Sequence, residues 1–440
     1  MSTIIILVFV FLAEAGSSLD KSTDVKIVKS FRLFTEKDIL PKAPENLQYA
    51  FIISRHGIRK PIRNPFKSCF SVFCFLFVWK CDSGTLTSRG EELMLQVGKS
   101  LGTRYKDQVP LFDPKVVHFS STPVSRTRRS TQCLATGLFV AKDPGYLLNA
   151  RFDGNKSPCK GNIDIHNADY DKSHVLHKGC TLYAKLKKQA SNEEKRETSP
   201  MRMTYYKKLG QMIETIYHKK NFVKSMSDSA TIYDTFQSWI LDGQEFVAPD
   251  SISYALPVMR KAFQLCLWRE IYSKTNMVQY IVGPILNQIF SEIHNMEDQK
   301  AITSIDRKMK IHFHGSHDIT VSPLLWVISE DETSIALPGD TLIIEVTSDD
   351  LVQIYYYNPL GVDKDKIFRA ITLKPLCGNE DCKLSKFEQA LHGFIYDEGS
   401  WKKMCKNPNP HNYNRALPQD IDEQDLRIMD EALGLLPNVK

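Results

Sequence analysis

Apolar positions change period several times along the chain, and each change marks a different element. Residues 48–54 (Gln-Tyr-Ala-Phe-Ile-Ile-Ser) are an almost unbroken apolar run of strand length, rich in β-formers. From residue 87 the period becomes helical. Leu93, Val97 and Leu101 recur at i, i+4 and i+8, and Ser88 with Glu91 fits a capping box, which predicts a helix ending near Tyr105. Residues 116–120 predict a short strand, and residues 122–140 a loop running into a helix with Leu134 and Leu138 on its apolar face. Residues 308–314 read as a strand, with Ile311 and Phe313 on one face and His312 and His314 on the other. Residues 319–328 read as a helix, and 341–346 with 351–357 as a hairpin across 347–350.

Between residues 143 and 257 the pattern is polar, Lys-rich and poor in strand signals, with helices expected over 201–217 and 231–241. A long amphipathic helix follows over 276–293, interrupted in pattern by Pro284. Strands separated by helices predict an α/β fold with a mostly parallel sheet flanked by helices. The expected organisation is a leader over 1–15, an α/β catalytic unit over 16–142 and 258–440, and a mainly helical insert over 143–257. One stretch, 66–81, is apolar without either period, is too short to span a bilayer, and carries Cys69, Cys74 and Cys81.

Composition narrows the class. The 440 residues suffice for a large core and two subdomains. The formal charge of +6 comes from scattered basic residues, with no long stripe interleaved with aromatics. A nucleic-acid partner is therefore unsupported, while a mildly basic surface suits anionic substrates. Residues 4–12 are apolar and Ala13-Glu14-Ala15 supplies a small-x-small cleavage pattern, so 1–15 read as a secretory signal peptide, although no Lys or Arg precedes the run. Ten cysteines in a secreted chain imply disulfides, and none has metal-finger CxxC spacing. Asn155-Lys156-Ser157 is a glycosylation sequon, consistent with an extracellular or lysosomal-lumen location. There is no signal for a membrane span or lipid anchor. A homodimer is among the assemblies the sequence allows.

Groups capable of chemistry stand where three predicted strands end. Arg55-His56-Gly57-Ile58-Arg59-Lys60-Pro61 follows the first, Arg126 the second, and His317-Asp318 the third. In open α/β sheets ligands bind at the carboxyl ends of strands, so the three should converge. Guanidinium forks around an imidazole suit a tetrahedral oxyanion, because arginine binds phosphate bidentately and stays charged. An imidazole against that oxyanion can act as a nucleophile. Gly57 would let the backbone turn sharply or approach a ligand closely.

These residues resemble a family. The RHGxRxP pattern at 55–61 and the late pair in Ser316-His317-Asp318 are the marks of histidine acid phosphatases. Gly84-Thr-Leu-Thr-Ser-Arg-Gly90 and Ser121-Thr-Pro-Val-Ser-Arg126-Thr127 resemble two further family segments, and Gly283-Pro-Ile-Leu-Asn287 also fits. The likeness runs from about residue 46 to 405, is weakest across the helical insert, and departs from the pattern at 66–81. Secreted, lysosomal, prostatic-type and arthropod venom acid phosphatases are the look-alikes. The resemblance implies a phosphoglycerate mutase-like fold and hydrolysis of small phosphate monoesters without cofactor. Position by position it makes His56 the nucleophile and Asp318 the proton donor, with Arg55, Arg59, Arg126 and His317 as phosphate ligands. It implies that Cys180 pairs with Cys405, and that Cys377 pairs with Cys382 in a very short loop, leaving Cys133, Cys159 and Cys266 among the unassigned.

The chemistry agrees with those roles. Phosphoryl transfer needs positioning and charge neutralisation. The arginines' field disfavours imidazolium, so His56 could stay neutral in mild acid. Asp318 must be protonated to assist the leaving alkoxide, which favours acidic pH. Three other readings remain. His312, His314 and His317 could begin a metal site, though no second cluster at ligand spacing accompanies them. The scaffold could be a silent binding protein, or a phytase-like enzyme acting on inositol phosphates, although phytase-like members usually carry a different tripeptide where this chain has His317-Asp318.

Overall fold

A computed structural model describes residues 40–63, 65–66, 83–113, 115–146, 159, 163–173, 180–196, 199–244, 248–272, 278–302, 310–329, 335–361, 367–379, 381–406 and 419–436. The expected leader over 1–15, residues 67–81 with their three cysteines, and Asn155 lie outside them.

The central sheet is mixed. Its strands are β1 (Leu47–Arg55), β2 (Val117–Ser121), β3 (His166–Asn167), β4 (Lys310–Ser316), β5 (Thr341–Thr347), β6 (Leu351–Tyr357), β7 (Phe368–Ala370) and β8 (Cys382–Lys383). Their spatial order is β3-β2-β4-β1-β5-β6-β7, with β8 also on β6. The half that ends in the polar motifs, β3-β2-β4-β1, is parallel, as the sequence pattern implied. Beyond β1 the sheet turns antiparallel through the 341–357 hairpin. Registers bring the strand ends level: Arg55 lies opposite Ser316, and Ser121 opposite Gly315.

β1 is buried along its whole length, which explains its continuous apolar run. Tyr49, Phe51 and Ile53 face one core, and Ala50 and Ile52 the other. The second core is closed by helices α1 (Ser88–Tyr105) and α2 (Ser125–Lys142) through Val97, Leu101, Leu134 and Leu138. Thr87 rather than Ser88 caps α1, its hydroxyl accepting the Gly90 N–H at 3.1 Å. The capping-box reading was therefore one residue late.

After β3 come α3 (Thr181–Arg196), α4 (Pro200–Tyr217), α5 (Met226–Asp242), α6 (Pro249–Tyr272) and α7 (Val278–Ile302). Pro284 lies inside α7 without ending it, and α7 faces the first core through Ile281, Ile285 and Ile289. α8 (Asp318–Ile328) leaves directly from β4 and packs on the same side. Towards the carboxyl terminus follow α9 (Lys374–Cys377), α10 (Leu384–Leu391), α11 (Glu398–Lys406) and α12 (Glu423–Gly434).

Helices α4, α5 and α6 share a third core with Ile421, Met429 and Ala432. Arg202 on Asp420 and Lys261 on Asp422 and Asp425 reinforce that contact. The 257/258 edge of the expected insert thus falls inside α6, and the carboxyl-terminal helix packs on the insert side. The structure joins Cys180 to Cys405 and Cys377 to Cys382. It also joins Cys133 to Cys159, a pairing the sequence left open.

Candidate active site

The loop after β1 is held from three sides. The Arg55 N–H donates to the Asp340 carbonyl at 2.9 Å, and the His56 N–H to the Ser316 carbonyl at 3.0 Å. The Gly57 N–H donates to Ser130 Oγ at 3.0 Å. A Cβ on Gly57 would lie 2.4 Å from the Gly90 carbonyl, and one on Gly90 would lie 2.0 Å from the Ile58 carbonyl. Gly57 is therefore required by contact with the first turn of α1, not by a left-handed turn or by a ligand.

His56 Nδ1 lies 2.9 Å from the Gly57 carbonyl. A carbonyl only accepts, so Nδ1 carries the proton and Nε2 keeps its lone pair. Burial first, and then the charges of Arg55, Arg126 and Arg59, hold this imidazole well below the usual histidine range. It stays neutral in mild acid.

Three guanidiniums surround it. Arg55 donates from Nη1 to the Ala336 carbonyl at 2.5 Å and from Nη2 to Asp318 Oδ2 at 2.8 Å. Arg59 forks onto Asp234 at 2.7 and 3.2 Å. Arg126 Nη2 lies 3.4 Å from His317 Nδ1, and His317 Nε2 lies 3.0 Å from Thr122 Oγ1. All three arginines have a buried Nε without a hydrogen-bond partner. Such donors are costly unless something accepts from them. Burial, followed by the charge of Arg59, pushes Arg126 down to about 10, so it remains charged at any working pH.

Asp318 opens α8 and accepts the Ile319 N–H at 2.8 Å. Burial alone would raise its pKa, but Arg55, Arg59 and His317 outweigh that and hold it below the ordinary carboxylate range. The positive end of α8 acts in the same direction.

All six residues singled out from the sequence thus meet at the carboxyl ends of β1, β2 and β4. His56, Arg59, Arg126, His317 and Asp318 line one open cavity of about 470 Å³, with Arg55 behind them. Its remaining wall is largely apolar, built from Ile62, Val124, Ala230, Phe263, Leu267 and Ile319. Asp234 was not foreseen: it comes from α5, far along the chain, with no local pattern to distinguish it. His312 and His314 turn elsewhere. His312 meets Glu292 at 2.8 Å, and His314 meets Asp171 at 2.9 Å. The three histidines therefore do not share one centre. Among the described residues, Glu91, Cys133 and Cys159 cluster at ligand distance, but the two cysteines are bonded to each other. No helix among the described residues is long and apolar enough to cross a membrane.

Known proteins share sequence and fold with this chain. Orangutan (Pongo abelii) lysophosphatidic acid phosphatase type 6 is 21% identical over 334 residues, covering 73% of this chain and 69% of that protein. Mouse (Mus musculus) testicular acid phosphatase is 33% identical over 114 residues, 24% of this chain and 26% of that protein. Among solved structures, the Hafnia alvei phytase bound to myo-inositol hexakis sulphate shares the fold with a TM-score of 0.53 at 16% identity, over 80% of this chain and 98% of that one. A family model matches residues 46–341, a span containing every residue of the site, and on that match the chain belongs to the histidine phosphatase superfamily, branch 2.

Proposed function

We propose that this chain is a secreted acid phosphatase that passes the phosphoryl group of small phosphomonoesters to His56 and then to water. The observation that carries the reading is His56 itself: a neutral imidazole with Nε2 unprotonated, buried among three guanidiniums whose Nε donors lack partners. A phosphate dianion supplies the acceptors they need. Arg55, Arg59 and Arg126, with His317, would hold the non-bridging oxygens. Nε2 attacks phosphorus, the ester P–O bond breaks, and its electron pair leaves on the alcohol oxygen, which takes a proton from Asp318. Water then attacks the phosphohistidine while the Asp318 carboxylate accepts its proton. Phosphate leaves and neutral His56 is restored.

The ion pair between Arg55 and Asp318 adds a condition. In the free site the carboxyl is held ionised. An arriving dianion neutralises the same arginines and so returns Asp318 towards its protonated form. The acidic optimum then belongs to the complex.

The apolar wall favours a monoester with one phosphate and an aryl or alkyl leaving group. An inositol polyphosphate would need cations for several phosphates. Beyond the three arginines the cavity lining adds Arg63, but it also presents Asp234 and Asp318. The likeness to phytases carries the fold alone. A silent scaffold is disfavoured by the complete residue set on an open cavity. Three disulfides among the described residues support an oxidising compartment, and the proposal includes glycosylation at Asn155 and permits a homodimer.

The decisive experiment is a panel of aryl, alkyl and lysophospholipid monophosphates and inositol hexakisphosphate, assayed across pH with and without a chelator. Turnover of the monophosphates below neutrality, indifferent to the chelator, is expected. Inositol hexakisphosphate as the best substrate, an optimum above neutrality, or no turnover at all would refute the reading.

A further inference from the structure

Beneath the turn that carries His317 and Asp318 lies a carboxylate that the proposed reaction does not use. Asp171 follows β3 and is 0% exposed. Its Oδ2 accepts from His314 Nε2 at 2.9 Å, from Ser316 Oγ, and from Thr320 Oγ1 at 3.4 Å. Its Oδ1 accepts the Ser173 N–H at 3.0 Å and the Ser173 hydroxyl at 2.5 Å. Three segments therefore meet on one side chain. His314 and Ser316 end β4, Thr320 lies in the first turn of α8, and Ser173 lines the substrate cavity.

The donors bracket the reacting groups. His317 and Asp318 stand between Ser316 and Thr320, both of which Asp171 holds. Ser316 is gripped twice: its hydroxyl donates to Asp171, and its carbonyl accepts the His56 N–H. The same carboxylate thus fixes the distance between the nucleophile's loop and the proton donor's turn. Burial alone would raise the pKa of such a group. His314 above all, with His317 and Ser173, keeps it ionised, so its full acceptor capacity is available to these donors.

We infer that Asp171 is a positioning residue for the proton-transfer step, clamping the end of β4 to the start of α8 so that Asp318 meets the leaving oxygen. This rests on the roles proposed above for His56 and Asp318. Asp171 touches neither substrate nor phosphate in that scheme and acts only through the turn it holds. Its loss should therefore slow the step that needs Asp318 and spare phosphate binding, which the arginines provide.

The test is Asp171→Asn, assayed on an alkyl phosphate and an activated aryl phosphate, with active sites counted by phosphohistidine burst. A displacement of about 1 Å can cost roughly 10²-fold in rate. Expected is a fall in the rate of phosphohistidine formation of about 10–100-fold on the alkyl ester and under about 5-fold on the aryl ester. KM and inhibition by inorganic phosphate should stay within about 3-fold, since uniform binding is untouched. The double variant with Asp318→Asn should be no slower than Asp318→Asn alone, because the two act through one event. Equal losses on both esters, additive losses in the double variant, or a lowered thermal midpoint with an unchanged rate of phosphohistidine formation per active site would overturn the inference. If Asp171→Asn does not fold, Ser316→Ala and Thr320→Val each remove one donor and should show the same split at about 3–10-fold; absence of the split there overturns it equally. Asp318→Asn measured alongside separates two failures. No split in that variant condemns the site reading, whereas a split there but not in Asp171→Asn condemns Asp171 alone.

Discussion

Among the arginine–carboxylate pairs buried in the described residues, Arg104 with Glu345 and Arg55 with Asp318 are built in opposite ways. Arg104 of α1 grips Glu345 of β5 with Nε and Nη2 at 2.9 and 2.8 Å, and its Nη1 reaches the Pro41 carbonyl at 2.5 Å. Tyr105 OH donates to the same carboxylate at 2.6 Å. That pair is saturated and closes the core between helix and sheet. Arg55 instead makes one contact to Asp318, and its Nε has no partner, as in Arg59 and Arg126 beside it. Buried charges are tolerated where every donor is matched. Where donors are left over in a cluster, beside a neutral nucleophile, the arrangement is suited to receiving an anion. Saturation separates the structural pair from the functional one; burial alone does not.

The contrast breaks first at the nucleophile. His56→Ala should abolish phosphohistidine formation and lower turnover by roughly 10⁴-fold or more, with the fold intact by circular dichroism. Substantial turnover in that variant would remove His56 from its role and leave the unmatched donors without a purpose. Next comes Asp318→Asn. Phosphate should still bind, while the rate of phosphohistidine formation should fall about 10²–10⁴-fold on alkyl phosphates and far less on an activated aryl phosphate. Equal losses on the two substrates would reduce Asp318 to a counter-ion for Arg55 and make the two buried pairs alike.

The functional pair was legible in the sequence, and the structural one was not. Arg55-His56 and His317-Asp318 each follow directly on an apolar strand, so local pattern located both their positions and their common end of the sheet. Arg104 and Glu345 are ordinary charged residues on an amphipathic helix and an apolar strand, 241 positions apart, with no local mark of their meeting. Asp171 and Asp234 were missed for the same reason. One follows a strand of only two residues, β3, and the other lies on a helix among several polar neighbours. The direction of the sheet beyond β1 was visible only as a hairpin, since pairing partners are not encoded in any one strand. His312 and His314 read as the polar face of a half-buried strand, but both are buried against matched partners, which alternation alone cannot distinguish.

A third test addresses the saturated pair. Glu345→Gln removes the charge that balances Arg104 and leaves a buried guanidinium under-compensated. Loss of about 3–5 kcal/mol of folding stability is expected, read by urea unfolding. Turnover per folded molecule, counted by phosphohistidine burst, should stay within about twofold. A large fall in kcat would show that the structural pair also shapes the site, and the distinction by saturation would fail.

The smallest effect belongs to a carboxylate that has no guanidinium on it. Asp340 sits behind Arg55, whose N–H its carbonyl accepts. Its Oδ2 receives Tyr356 OH at 2.5 Å and the Leu337 N–H at 2.6 Å, while Oδ1 is buried without a partner. Burial dominates over those hydrogen bonds and over the charge of Arg55, and raises its pKa to about 7. The folded group is then protonated between about pH 4 and 7, where the unfolded group is ionised, so the folded state binds more protons there. The sign follows: the stability this group contributes is full below about pH 4 and is lost as pH rises towards 7. Between pH 5 and 7 the loss should be about 2 kcal/mol, and Asp340→Asn, which cannot ionise, should lack it. Urea midpoints of the two proteins across that range should diverge as pH rises, with the wild type falling relative to the variant. Parallel midpoints would mean that Asp340 is ionised in the fold like Asp318, and that proximity to Arg55 suffices to hold a buried carboxylate charged.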